Sequence, residues 1–475
     1  MALNVAGKRR EDRAESDCAG GWPSSAVLPG RTIPTGPRPL PSPSNLGNVD
    51  GTVTAAATRP RISLIENFAN GAAGHWGDNL VRLCNGATAA GYEPIAVTVH
   101  GLHPQVRDSL AATGAVIVDR PVGFLARASL WASRFLRPAH GFTYRIAPRS
   151  DLPPRVRYAS RGLAEIAALR TSTRVAGQDV EATVILTASQ GLAATTAGLS
   201  RTPHLRFVHY KGTPEGVTLR ALEKIFARSG RSIAVIATNA SIASTTKQRH
   251  PDRLVIVRSF AVADPNMYIG DDERRPARSA LGIAETEFVV AMVGGWWPYK
   301  DIETIKRALE LRTRPVTLVV CGKPVRPSEL EPALARCGGR VVNLAGAVTE
   351  DELRRIYAAS DVALVTRTPG WPEEIGTAFD AARYGVPLIV SDHDEDLSRR
   401  LTAEPWVRLF RVGDPQDLAR TIEGFAETPP PRPDHGAAER LGLTSATDTI
   451  AAFCRIALTL PERRSIRFPG TTSAG

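Results

Sequence analysis

From Phe288 to Ser398 the chain alternates short apolar runs with segments whose apolar residues recur every 3.6 positions, and few folds accept that pattern. Phe288-Val-Val-Ala-Met-Val-Gly294 turns through Gly295-Trp-Trp-Pro-Tyr-Lys300-Asp301 into a segment with Ile302, Ile305 and Leu309 on one face. Val316 to Gly322, Val341 to Gly346, Val362 to Val365 and Val386 to Val390 repeat the apolar run. Segments around Leu353, Ile356 and Tyr357, and around Ile375, Ala378, Phe379 and Ala382, repeat the helical period. Continuous apolar strands separated by helices predict an α/β domain with a parallel sheet covered on both faces. Such sheets bind ligands at the carboxyl ends of their strands, so the turns there carry the functional reading.

Those turns hold Pro298-Tyr-Lys300-Asp301, Asn343-Leu-Ala-Gly346, Tyr357-Ala-Ala-Ser-Asp361, and Glu373-Glu-Ile-Gly376 followed by Asp380-Ala-Ala-Arg-Tyr-Gly385-Val-Pro387. In order and residue type the stretch, about a quarter of the chain, resembles the nucleotide-sugar domain of the family 4 glycosyltransferases. The resemblance implies a GT-B fold: two Rossmann-like domains facing each other across a cleft. It also implies a retaining, metal-independent transfer from a nucleotide-diphosphate sugar, with no resident cofactor. Lys300 becomes the donor-phosphate lysine, and Asp380 the acceptor of the ribose hydroxyls. Two departures stand out. Gly295 takes the place of an arginine usual in the family, and the Glu-x7-Glu pair has Asp380 as its second acid with Pro372 at the first. Glu373 takes the first position if the turn is one residue shorter.

The candidate catalytic residues are therefore His209, Lys300 and Glu373. The candidate donor-binding residues are Gly74, Gly295, Lys300, Glu374, Ile375, Gly376, Thr377 and Asp380. A flexible ammonium suits a diphosphate as a point charge, and a carboxylate offers two acceptor oxygens to a diol. Each has a structural alternative. Lys300 could be a solvated surface lysine. Thr377-x-x-Asp380 also reads as a capping box. His209 ends the apolar run Phe207-Val-His209 and reads equally as a core histidine or as the residue beside the reacting sugar. Asp392-His-Asp394 matches a metal-binding pattern of another glycosyltransferase fold, but follows a strand of this one and is read as part of the donor loop, without metal.

The length of 475 residues and 43% apolar content suit two or three domains with large cores. Residues 1–58, rich in Pro, Gly, Ser, Ala and Arg without periodicity, read as disordered and lack the apolar core of a signal peptide. Residues 59–262 read as an acceptor-side α/β domain and 263–445 as the nucleotide-sugar domain. A helix over 446–460 is expected to cross back to the first domain, ahead of a loose tail at 461–475. In the first domain, Gly71-Ala-Ala-Gly74-His-Trp-Gly77 follows the strand at Arg61–Glu66. Glycines there admit a ligand to the backbone, or serve only as a tight turn. The loop lacks G-x-G-x-x-G and no acid ends the next strand, which disfavours NAD.

The 59 Lys and Arg outnumber the 48 Asp and Glu, for a formal charge of +11, and all but 7 of the 59 are Arg. Most of this reads as the habit of an Ala-, Gly- and Arg-rich proteome. Nucleic acid is disfavoured, because no helix-turn-helix, zinc or RNA-binding signature accompanies the charge. Between Gly123 and Arg137 the chain is amphipathic: Phe124, Leu125, Ala128, Trp131, Ala132, Phe135 and Leu136 oppose Arg127, Arg134 and Arg137. Such a helix packs on its own sheet or lies on an anionic membrane. No run of eighteen apolar residues predicts a spanning helix, and five cysteines without a C-x-x-C pair point to a reducing cytoplasm. The expected partners are a nucleotide-sugar donor, a glycan, lipid-linked or small-molecule acceptor, and an anionic membrane surface. The expected activity is hexosyl transfer in glycan, glycolipid or polysaccharide synthesis. The alternatives are a nucleotide-sugar epimerase of the same fold and an inactive subunit that binds a partner.

Overall fold

Two parallel sheets organise the protein in a computed structural model that describes residues 59–70, 75–146, 152–177, 180–188, 196, 199, 202–209, 232–322, 325–346, 348–369 and 376–460. The expected disordered segment 1–58, the tail 461–475, Gly74, Glu373, Glu374 and Ile375 lie outside the described residues. The first sheet contains β1 (Arg61–Ile65), β2 (Glu93–Val97), β3 (Val116–Val118), β4 (Val180–Ile185), β5 (His204–Val208), β6 (Ile233–Ala237) and β7 (Leu254–Val257). Their order is β3-β2-β1-β4-β5-β6-β7. The second contains β9 (Val289–Val293), β10 (Thr317–Gly322), β11 (Arg340–Ala345), β12 (Val362–Val365), β13 (Leu388–Ser391) and β14 (Val407–Phe410), in the order β11-β10-β9-β12-β13-β14. Every pairing in both is parallel. Both are therefore doubly wound, and in each the strand order reverses direction once, between β1 and β4 and between β9 and β12. A crevice opens there, because the helices on either side leave for opposite faces.

The helices follow from local sequence. In the first unit, α1 (His75–Ala89) places Leu80, Leu83, Cys84 and Ala87 against the sheet, ends near Gly91 at φ +87°, and precedes α2 (Pro104–Ala112), while α5 (Ala240–Arg249) joins β6 to β7. Between the sheets, β8 (Val262–Ala263) pairs with β15 (Thr444–Ser445). In the second unit α6 (Arg274–Ala280), α7 (Ile302–Glu310), α8 (Glu331–Arg336), α9 (Glu350–Ala359), α10 (Gly376–Tyr384), α11 (Glu395–Thr402) and α12 (Pro415–Glu427) cover the sheet. Asp301, Thr349, Asp394 and Asp414 cap α7, α9, α11 and α12 through hydrogen bonds to backbone N–H groups of the first turn. The helix at Ala446–Ala457 lies against α1 and the first sheet: Phe453 meets Phe207 with ring centroids 5.6 Å apart, and a Cβ on Gly86 would stand 2.6 Å from Ala446.

Asp361, from the turn before β12, anchors the second unit. Its carboxylate accepts from Arg274, from Arg278 at 2.9 Å and from the Val289 backbone at 2.7 Å. Arg278 is fully buried and its guanidinium also donates to the carbonyls of Ala359, Ala284, Glu285 and Glu287. A buried charge persists only when so completely satisfied.

Two long helices in the first unit, α3 (Phe124–Ile146) and α4 (Leu152–Ala176), settle the amphipathic segment. The inner helix, α4, lies against β1 and β2 on one side and α3 on the other, so Ala164, Ile166, Ala167, Ala168 and Leu169 are buried without forming a single stripe. The outer helix turns Ala126, Leu130 and Ser133 inward, and Ser133 hydrogen-bonds the Ser160 carbonyl at 2.7 Å. Its apolar stripe faces out: Phe124 is 81% exposed, Trp131 71% and Phe135 67%, with Leu125, Phe142 and Ile146 also exposed. The reading of this stripe as core is therefore overturned. Small residues make the helix contact, because they allow close approach, and the bulky ones are left to solvent.

Candidate functional site

At the reversal point of the second sheet two cations meet. Gly294, at φ +89°, turns the chain out of β9, and a turn closed by Lys300 N–H on the Trp297 carbonyl leads into α7. The Lys300 ammonium folds back over the strand end, donating to the carbonyls of Val293 at 2.6 Å and Gly294 at 3.0 Å. Burial, reinforced by the neighbouring Arg367, pulls its pKa down to about 7. Arg367 leaves the end of β12, is 8% exposed, and sets its guanidinium 4.3 Å from the centre of the Tyr299 ring. Lys300 is therefore no solvated surface lysine.

The floor beside these cations is bare backbone. Gly294, Gly322 and Gly346 end β9, β10 and β11 with φ of +89°, +115° and +99°. A Cβ on Gly322 would stand 2.6 Å from the Gly294 carbonyl carbon and 2.7 Å from the Gly295 nitrogen. Only glycine permits both the conformation and the approach. Gly295 itself is buried, so the place where an arginine was expected holds no charge.

Asp380 sits in α10, whose first residue is Gly376, with Thr377 second. The capping-box reading fails for this reason: Thr377 lies inside the helix, and the Asp380 carboxylate accepts from Arg383 one turn on. Arg383 also donates to the Val262 carbonyl on β8 at 3.2 Å. Lys300 and Asp380 both lie within electrostatic reach of the Cys321 thiol of β10, whose pKa burial raises. Asp380 also helps raise the pKa of Asp78, in the first turn of α1, behind burial and Glu350. Asp380 is thus within electrostatic reach of the first unit. Across the same gap Arg82 of α1 pairs with Asp264 at 2.5 Å and with Glu350 at the start of α9.

The reversal point of the first sheet holds a cavity of about 260 Å³. Asn67 and Phe68 after β1, Thr187 and Ala188 after β4, Trp76 of α1, and Arg137, Arg157 and Arg161 of the long helices line it. Behind the wall Glu66 is fully buried, accepting from Thr187 Oγ1 at 2.7 Å and Phe68 N–H at 2.8 Å, and burial pushes its pKa up to about 7. His209 does not line the cavity. It is buried against Trp76, Phe260 and Phe207, at ring-centroid distances of 4.9, 4.4 and 6.1 Å, and Nε2–H donates to the Leu186 carbonyl at 2.9 Å. Trp76, which packs edge-on to this ring, is the member of the cluster that lines the cavity.

Of the predicted residues, the structure brings Lys300, Gly295, Gly376, Thr377 and Asp380 to one end of the second sheet and places His209 in the other unit. Asp392 and Asp394 are spent locally: the first accepts from Val412 N–H at 2.7 Å and the second caps α11. No group of three acids, histidines or cysteines among the described residues could hold a metal ion, and no helix among them is long and apolar enough to cross a membrane. Arg367 and Glu66 were missed. Glu66 directly follows the apolar strand Arg61 to Ile65 and Arg367 lies two residues beyond Val362 to Val365, and a charged residue at the carboxyl end of a parallel strand is a signal available from sequence.

Comparison with known proteins agrees with this geometry. Residues 273–440 match the sequence model of the family described as glycosyl transferases group 1. A D-inositol 3-phosphate glycosyltransferase from Salinispora arenicola is 30% identical over 186 residues, 36% of this chain and 41% of that protein. The chain thus spans about two fifths of the length of the relatives it matches. Among solved structures, the Anabaena protein HepE in complex with UDP and glucose is 17% identical with a TM-score of 0.53, covering 84% of this chain and 99% of that one. An α,α-trehalose-phosphate synthase from Burkholderia xenovorans in complex with glucose-6-phosphate is 10% identical with a TM-score of 0.54, covering 84% and 100%. At such identities the likeness speaks for the fold. Residues 273–440 thus match the glycosyl transferases group 1 model, in a chain of two α/β units whose fold is the GT-B fold of these neighbours.

Proposed function

We propose that the protein moves a sugar from a nucleotide-diphosphate sugar, held by the second unit, to an acceptor held by the first. One observation carries this reading: Lys300 and Arg367 stand together at the reversal point of the second sheet, above strand ends kept clear by Gly294, Gly322 and Gly346. Two cations suit a diphosphate, and Arg367 supplies from β12 the second charge that Gly295 lacks. Catalysis then consists mainly of stabilising the leaving diphosphate, with the N-terminus of α10 adding its dipole. Asp380 accepts from the ribose, and Glu373 is the residue assigned to the sugar, whereas His209, packed among Trp76, Phe207 and Phe260, is left a role in the core. Retention of configuration, independence of metal and a place in glycan or glycolipid synthesis belong to the same proposal.

Calorimetry against a panel of nucleotides and nucleotide sugars tests it. Lys300→Ala should weaken a nucleoside diphosphate about ten- to a hundredfold and the bare nucleoside little. Asp380→Asn should weaken both, and discriminate less against the deoxyribose analogue. Wild-type affinity for the diphosphate in both variants would refute the donor site. Release of nucleotide that requires an acceptor separates transfer from epimerisation.

The exposed stripe of α3 supports a second element, peripheral attachment to an anionic membrane. Phe124, Leu125, Trp131 and Phe135 present apolar bulk, and a groove beside them is lined by Arg107, Arg120, Arg127 and Arg134. The protein should sediment with anionic vesicles, release as salt rises, and lose binding in Trp131→Glu/Phe135→Glu. Equal recovery with neutral and anionic vesicles refutes the attachment.

A further inference from the structure

The Asp380 carboxylate is not left to itself on α10. Its Oδ1 accepts from the Arg383 guanidinium one turn on, and a second arm of that guanidinium donates to the Val262 carbonyl of β8 at 3.2 Å. The pair is largely enclosed, with the two side chains 16% and 11% exposed. Burial works against the charge on Arg383, and the carboxylate more than offsets it, so the Arg383 pKa is raised. Among the described residues nothing else hydrogen-bonds this carboxylate. The Tyr357 and Tyr384 rings stack nearby with centroids 4.7 Å apart, and Asp380 acts on both phenols, after burial, to raise their pKa. Neither hydroxyl has a hydrogen-bond partner among those residues. Arg383 is therefore the group that holds Asp380, and it holds it to a point outside α10. Val262 belongs to the short strand that pairs with β15 between the two sheets.

We propose that Arg383 is a positioning residue for the nucleoside: it fixes the Asp380 carboxylate between α10 and β8, with Oδ1 committed to the guanidinium and Oδ2 left to accept from the ribose. The role rests on the reading of Asp380 as the ribose acceptor. A carboxylate free to change rotamer must be ordered when the ligand arrives, which lowers affinity about two- to tenfold. A planar guanidinium presents its donors in a rigid fork, so one side chain can grip the carboxylate and the β8 carbonyl together. Arg383 itself touches no substrate. It acts through Asp380, and its effect is confined to the contact with the ribose.

Calorimetry with UDP, GDP and ADP, each beside its dideoxyribose analogue, tests this through the ratio of the two affinities. In the wild type at least one pair should differ by about tenfold or more, and Asp380→Asn should lose most of that ratio. Arg383→Met should lower the ratio about two- to tenfold, while the dideoxyribose analogue binds as it does to the wild type, which also shows that the variant is folded. Arg383→Lys keeps the charge without the fork and should fall between the two. Arg383→Met added to Asp380→Asn should lower the ratio no further, because a residue that acts through another is silent in its absence. If every Arg383 variant that folds keeps the wild-type ratio, nucleotide and analogue weakening together as for a purely structural contact, the proposal is overturned and Asp380 stays at the donor site. A further fall of the ratio in the double variant overturns it equally. If the wild type binds none of the three nucleotides, or holds each analogue as tightly, or if Asp380→Asn keeps the ratio, the donor-site reading itself fails and the positioning role falls with it.

Discussion

Raising the pH should weaken donor binding, with a slope set by Lys300. In the free protein burial and Arg367 lower its pKa from 10.5 to about 7. A diphosphate seated against the ammonium restores the charged form, so binding takes up a proton wherever the free lysine is neutral. Below pH 7 the affinity should be flat. Above it each pH unit lowers the protonated fraction tenfold, about 1.4 kcal/mol per unit. Between pH 7 and 9 the association constant should therefore fall about fiftyfold. The donor must not titrate in this window, which recommends a sugar diphosphate such as UDP-glucose over a free diphosphate. Calorimetry in two buffers of different protonation enthalpy should find about one proton taken up at pH 8.5 and almost none at pH 6. Lys300→Met should bind weakly at every pH, without slope. An affinity constant from pH 6 to 9, with equal heats in both buffers, would refute the contact between Lys300 and the diphosphate.

Three further outcomes follow from the same geometry. Glu66 has its pKa raised from 4.5 to about 7, so the folded protein holds that proton more tightly than the unfolded chain. Its contribution is present below pH 4.5 and about 3 kcal/mol of stability is lost as pH rises to 7. Glu66→Gln should flatten this part of the pH profile in urea denaturation, and an unchanged profile counts against the burial argument. Asp361→Asn leaves the buried Arg278 guanidinium without its carboxylate and should cost about 3 to 5 kcal/mol; a loss under about 1 kcal/mol would show that the carbonyls suffice. Gly322→Ala drives a methyl into the Gly294 turn that carries Lys300. It should cost about 1 to 3 kcal/mol of stability and also weaken nucleotide binding, and unaltered nucleotide binding would detach Gly322 from the site.

Much of this architecture was legible without coordinates, and for a local reason. Strands buried on both faces must be continuously apolar, as in Val289–Val293 and Val362–Val365, and the helices between them must carry a stripe every 3.6 residues, as in Ile302, Ile305 and Leu309. The type of sheet follows from that alternation, and with it the edge where ligands bind. Lys300 could be named because it sits in a turn at that edge, and Asp380 because it lies in the helix that follows such a turn. Other features depend on which elements become neighbours, and one-dimensional periodicity does not carry that. The stripe of α3 has the same pattern whether it faces a sheet or water; its exposure was decided when α4 took the place between it and the sheet. Arg367 is one cation among many in the chain, and becomes the partner of Lys300 only because β12 pairs with β9. Asp380 carries a carboxylate in any fold, yet its pairing with Arg383 and its position opposite Asp78 arise from helix packing across the two units. Charge and period are properties of residues, whereas the cavity of Arg137, Arg157 and Arg161 is a property of distances that only the folded chain sets.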